Sequence, residues 1–176
     1  DGAPKVDSAL QYSDQVVVIN SFSKYYSMAG WRVGWIVLPK EHVASLASMA
    51  RSLYVSMTTA SQYIALGTMG DTATLNKHLE RYKKNRAIMM QEMPKAGYYD
   101  AMNPDGAFYY YAKAPSCTDS IAYCMKMMEQ AGVVASPGVD FDPIDGDPYI
   151  RFSYAGSTED IQEAVQRLQD WYHSGL

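Results

Sequence analysis

Between a break at Gly70-Asp71 and Pro94, a strongly charged stretch carries Leu75, Leu79, Tyr82, Met89 and Met93 three, four or seven residues apart. That spacing lines one face of a long amphipathic helix, which divides the chain into two textures. Before it, the β-branched run Gln15 to Asn20 and the alternating run Trp31 to Leu38 read as strands around a Ser- and Gly-rich loop. Two helices follow: Glu41 to Leu53, with Val43, Leu46, Ala47 and Ala50 on one side, and Thr58 to Met69, with Ala60, Ile64, Ala65 and Thr68. After Pro94 the elements shorten. Strands are expected at Ala107 to Ala112, Val133 to Ala135 and Tyr149 to Ser153, and a helix at Ser120 to Gln130 ended by Gly132. A last helix opens at Ser157 with Asp160 three residues on, resembling a capping box, and turns Ile161, Ala164, Val165, Leu168 and Trp171 inward. The order is mixed α/β. It predicts one domain portion over 1–70, a connecting helix over 71–93 and a small α+β domain over 94–176.

Apolar residues at 48% against 19% charged exclude the profile of a disordered chain. A net charge of −4 and a pI near 5.3 give no pull toward nucleic acid or an anionic membrane surface, so a small-molecule partner is favoured. Cys117 and Cys124 share one expected helix seven residues apart, which makes a mutual disulfide implausible and fits a reducing, cytoplasmic setting. No apolar run approaches the roughly twenty residues that cross a bilayer, and the opening Asp-Gly-Ala-Pro-Lys lacks a signal peptide's apolar region; a soluble chain is expected.

The chemistry concentrates in Ser21-Phe22-Ser23-Lys24-Tyr25-Tyr26-Ser27-Met28-Ala29-Gly30-Trp31-Arg32-Val33-Gly34-Trp35. A strand delivers a lysine into a turn lined by hydroxyls, and an arginine follows eight residues later at the start of the next strand. The set suits a phosphorylated aldehyde: an amine to condense with the carbonyl, and the Ser21 hydroxyl and Arg32 guanidinium to grip phosphate oxygens. Arginine keeps its proton and offers a planar fork, whereas a lysine amine can be brought to its neutral form by its surroundings.

This stretch resembles the cofactor-lysine signature of class I and II aminotransferases, which are pyridoxal-phosphate enzymes of fold type I. The resemblance continues, in the family's order, through Gly106-Ala107-Phe108-Tyr109, Ser136-Pro137-Gly138 and Tyr149-Ile150-Arg151-Phe152-Ser153-Tyr154-Ala155. It implies that Lys24 is the Schiff-base and proton-transfer residue, that Ser21 and Arg32 bind the phosphate of pyridoxal 5'-phosphate, and that Arg151 binds the α-carboxylate of an amino acid. It also implies that residues 1–70 are the last part of a large cofactor-binding domain, that amino acids and 2-oxo acids are the substrates, and that the enzyme is a homodimer. The family's aspartate facing the pyridine nitrogen, its tyrosine near the ring oxygen and its Gly-rich helix start lie in sequence preceding such a segment, so the chain by itself is expected to have little or no transaminase activity. A non-catalytic remnant or interaction module of the same fold, or a related lyase or decarboxylase, are the alternatives.

Other patterns have plainer explanations. Ser21 and Lys24 form a Ser-x-x-Lys spacing, but the companion motifs of serine-acylating enzymes are absent and that reading gives Arg32 no task. Asp140, Asp142, Asp145 and Asp147 lack the ligand order of a calcium loop and read as a solvated turn. Phe141-Asp142 departs from the Phe-Gly often found there in the family. His42, His78 and His173 have no ligand spacing, so no metal is expected. Arg81, Lys83, Lys84 and Arg86 read as a solvated helix face.

Overall fold

The computed structural model describes residues 7–175, and the chain separates into two compact units, Asp1–Lys77 and His78–Leu176. In the first, β1 (Val18–Ser21) pairs antiparallel with β2 (Gly34–Val37), Val18 facing Val37 and Ser21 facing Gly34. Helices α1 (Lys40–Tyr54) and α2 (Thr59–Thr68) follow. The core here is small: Phe22, Met28 and Ala65, flanked by Tyr26, Val33 and Ile64. The expected strand Trp31 to Leu38 begins late, because a 3₁₀ turn at Ala29–Trp31 and a left-handed Arg32 (φ 54°, ψ 50°) interrupt the extended chain. The first strand is likewise shorter than expected, starting at Val18.

Helix α3 (Thr72–Glu92) runs from the first unit's sequence into the second's. Pro94 sits in a 3₁₀ turn, Met93–Ala96, that is closed by Gly97 at φ 87°. An added Cβ on Gly97 would come within 2.6 Å of the Tyr172 ring, so this turn requires both the left-handed backbone and the missing side chain.

The second unit is built on an antiparallel sheet in the order β3 (Tyr109–Lys113), β5 (Tyr149–Ser153), β4 (Ser136–Pro137). Period-two alternation sends Tyr110, Ala112, Ile150 and Phe152 into the core and leaves Tyr109, Tyr111, Tyr149 and Arg151 half-buried on the other face. The core is completed by Met89 and Met93, by Tyr123 and Met127 of α4 (Ser120–Ala131), and by Ile161, Val165, Leu168 and Trp171 of α5 (Thr158–His173). Both late helices are capped as their sequences require: Asp119 accepts from the Ile121 and Ala122 amides, and Ser157 from the Asp160 amide at 3.0 Å. Two expectations need correction. Val133 to Ala135 does not pair; the short β4 forms at Ser136–Pro137, because only there does the chain come opposite Arg151 and Ile150 of the five-residue β5. The strand expected at Ala107 begins at Tyr109, since Ala107 sits at φ 60° in a turn. Among the described residues no helix is long and apolar enough to cross a membrane.

Candidate functional site

The β1–β2 connection holds three of the residues singled out by sequence. Pairing continues one step past the strands, with the Phe22 amide donating to the Val33 carbonyl at 3.0 Å. Ser21 Oγ lies 2.8 Å from Ser23 Oγ, accepts the Ser23 amide at 3.0 Å and reaches the Val33 carbonyl at 3.3 Å. The Ser21 hydroxyl is thereby fixed beside the residue that follows Arg32. Gly34 permits this approach: a Cβ there would come within 2.6 Å of the Asn20 carbonyl oxygen. Lys24 lies in the intervening turn, where its carbonyl accepts the Ser27 amide at 3.0 Å, and Phe22 and Met28 anchor that turn in the small core.

Arg32 takes a left-handed backbone, unusual for a residue with a side chain and an arrangement that accumulates at functional sites. Its Nη1 donates to the Ala29 carbonyl at 2.7 Å, so the guanidinium folds back over the connection. Among the described residues no carboxylate forms an ion pair with it. Arg32 also lines a cavity of about 660 Å³ with Ile19, Trp35, Leu46 and Tyr54; Lys24 does not line it. Ser21, Lys24 and Arg32 are all exposed. An amine, a hydroxyl and a guanidinium that pairs with no carboxylate among the described residues and keeps further N–H donors are, on one connection, a donor set that fits a phosphorylated aldehyde.

Arg151 belongs to the second unit, on the central strand opposite Tyr111 and Ser136. Its Cζ lies 4.1 Å from the Tyr109 ring centroid and 3.7 Å from that of Phe141. At such distances both rings are in cation–π contact with the guanidinium.

Phe141 comes from the aspartate-rich loop, whose conformation is now defined. Gly138 accepts from the Phe141 and Asp142 amides at 2.9 and 3.0 Å, and Asp142 Oδ1 accepts from the Ile144 and Asp145 amides, both at 3.0 Å. These amides, Asp145's first, hold the Asp142 carboxyl below its usual range. The carboxylate is therefore engaged by backbone, as a turn requires.

Sequence reasoning overlooked Asn85. It is fully buried, its Nδ2 donates to the Tyr154 and Gly156 carbonyls at 2.9 and 3.1 Å, and its Oδ1 accepts from Thr158 Oγ1 at 2.8 Å. It thus ties α3 to the chain that leaves the Arg151 strand. The basic stretch around it also needs correction: Lys83 and Lys84 are exposed, but Arg81 and Arg86 are half-buried, with Arg86 Nη2 donating to Asn103 Oδ1. The helix must turn Asn85 into the core, and Arg81, one turn before it, and the adjacent Arg86 follow it partway in. Both cysteines are free thiols; they do not share a helix as expected, because Cys117 precedes the Asp119 cap of α4, and burial raises the pKa of Cys124 to about 11.

The model of the family "Aminotransferase class I and II" matches residues 2–168. The valine–pyruvate aminotransferase of Mycobacterium tuberculosis is 37% identical over 98% of this chain and 45% of its own length. The crystal structure of an aminotransferase from the same organism superposes with a TM-score of 0.94 at 36% identity, covering 98% of this chain and 46% of that one. The aspartate aminotransferase structure from Thermotoga maritima gives 0.85 at 28% identity over 97% and 44%. The chain spans a little under half the length of these relatives, and its mixed α/β architecture matches a carboxyl-terminal portion of their fold.

Proposed function

Because the chain belongs to the class I and II aminotransferase family, we propose that it is the carboxyl-terminal segment of a pyridoxal-phosphate-dependent enzyme that moves an amino group between an amino acid and a 2-oxo acid. The observation that carries this reading is the β1–β2 connection, where the Ser21 hydroxyl is tied to Val33 beside an Arg32 that has no carboxylate partner among the described residues, with Lys24 in the turn between. On this reading residues 1–70 are the end of the cofactor-binding domain, 71–93 the connecting helix and 94–176 the small domain.

Ser21 and Arg32 would hold the cofactor phosphate, the hydroxyl as a single donor and the guanidinium as a charged fork. Lys24 would attach the cofactor through its ε-amine, and the same amine, once released, would take the substrate's α-proton on Nζ and return it. Pyridoxal phosphate, when bound, supplies the aldehyde that accepts the amino group and the ring that withdraws electrons from the α-carbon. Arg151 would orient the α-carboxylate by paired N–H donors, its plane already set by Tyr109 and Phe141. The family resemblance supports a homodimer, and the two free thiols and acidic composition support a cytoplasmic setting.

The test is chemical. Full-length protein incubated with pyridoxal phosphate and reduced with borohydride is expected to carry the cofactor as a secondary amine on the peptide containing Lys24, and Lys24→Ala to carry none there and to lose turnover. Labelling of another lysine, or none, overturns the assignment and favours a non-catalytic relative.

A further inference from the structure

We propose that Phe141 and Tyr109 are positioning residues for the substrate carboxylate, acting by clamping the Arg151 guanidinium between their rings; the inference rests on the reading of Arg151 given above. An arginine on an open sheet face ordinarily samples many rotamers, and a bidentate pair forms only when its plane is correctly presented. Here two rings, one from the sheet and one from a loop, lie against the cation, with 4.1 and 3.7 Å between Cζ and the ring centroids. Rings that contact a guanidinium by its faces leave its in-plane edges, where all the N–H donors lie, available to a carboxylate. Among the described residues no protein carboxylate takes that place.

The two rings have different origins and each is fixed independently. Tyr109 is the first residue of β3 and pairs with Ser153, two residues beyond Arg151 on the neighbouring strand, so the sheet register sets its position diagonally across from Arg151. Phe141 is ten residues away in sequence and owes its position to a loop with no room for variation. A Cβ on Gly138 would lie 2.1 Å from the Gly146 carbonyl oxygen, and a Cβ on Gly146 would lie 2.2 Å from that of Asp142. The Gly146 amide donates to the Asp142 carbonyl at 2.9 Å, and the Asp142 carboxylate gathers two further amides. Backbone packed this closely sets the direction in which Phe141 leaves it. Although 46% exposed, Phe141 is therefore held by geometry and by its cation, and the aspartate-rich loop has a purpose that its charges do not reveal.

The clamp acts on binding of any substrate that carries an α-carboxylate and leaves the proton transfer alone. In the full-length holoenzyme, Phe141→Leu is expected to raise KM about tenfold for both the amino acid and the 2-oxo acid, with kcat changed less than about threefold. Phe141→Tyr restores KM, and Tyr109→Leu, which removes the other ring, raises it as Phe141→Leu does. An amine donor lacking the carboxylate reads out general damage: its slow half-reaction, followed by cofactor absorbance, keeps its rate in Phe141→Leu. If KM stays within about twofold of the parent in Phe141→Leu while Arg151→Lys raises it strongly, the clamp is refuted and the role of Arg151 survives. If Arg151→Lys also leaves KM unchanged, the reading of Arg151 itself fails. Equal slowing of the carboxylate-free amine would make Phe141 a structural residue and would likewise refute the clamp.

Discussion

Replacing Asn85 by leucine keeps much of its volume while removing every polar contact it makes in the core. Three groups lose their partner at once: the Tyr154 carbonyl, the Gly156 carbonyl and the Thr158 hydroxyl. A buried group left unsatisfied costs about 1–3 kcal/mol; Gly156 is exposed, so water can serve its carbonyl, while the buried Tyr154 and Thr158 groups are neighbours and relax together. The expected loss is therefore about 3 kcal/mol and not the sum of the maxima. At a urea m-value of about 1.5 kcal/mol per molar, that is a fall in midpoint of about 2 M. Trp171 reports on this unit: it is 7% exposed, packs edge-on against Tyr123 and donates to Gln130 Oε1 at 2.8 Å. With Trp31 and Trp35 changed to Phe, its fluorescence follows the second unit alone. Thr158→Val in the same background closes a double-mutant cycle, and the double variant should lose less than the two single losses together, since both remove the same hydrogen bond. A midpoint within about 0.5 M of the parent for Asn85→Leu would refute the reasoning, because it would mean that water or rearrangement serves those groups equally well.

Two other outcomes follow from local geometry. Gly34→Ala must push a Cβ against the Asn20 carbonyl oxygen, 2.6 Å away, so it should cost about 1–3 kcal/mol and speed exchange of the Phe22 amide, which bonds to Val33 across the same connection; unchanged protection would refute it. Burial raises the Cys124 thiol from its ordinary value of 9.0 to about 11, so its contribution to stability is complete below pH 9 and is lost as pH rises toward 11, where the unfolded chain is already ionised and the folded one is not. Urea midpoints measured across that window should fall more steeply for the parent than for Cys124→Ala, and parallel slopes would remove the thiol from the account.

What the sequence disclosed was local. The Tyr149–Ser153 strand and the Ser157 cap could be read in place, because alternation and capping chemistry act within a few residues. The family resemblance was legible for the same reason, and the family match bears it out. Asn85 was hidden among charges on a helix, and its partners lie 69 to 73 residues away; no local pattern marks an amide for burial. The Arg32 turn was missed because its left-handed backbone is unannounced by a glycine at that position. Phe141 was noted only as a departure from a familiar pattern, since its meeting with Arg151 depends on two glycines whose backbones touch from opposite ends of a loop.

The central strand of the second unit does two jobs with alternate residues, and this makes the core a guardian of the cation's direction. A slip of one residue between β3 and β5 would turn Arg151 into the apolar interior and push Ile150 and Phe152, 0% and 5% exposed, out into water. The penalty for that inversion is charged to dozens of atoms that never meet a substrate. The arginine's outward aim is thus secured by residues on the opposite side of the sheet, which can be repacked for size but not for polarity.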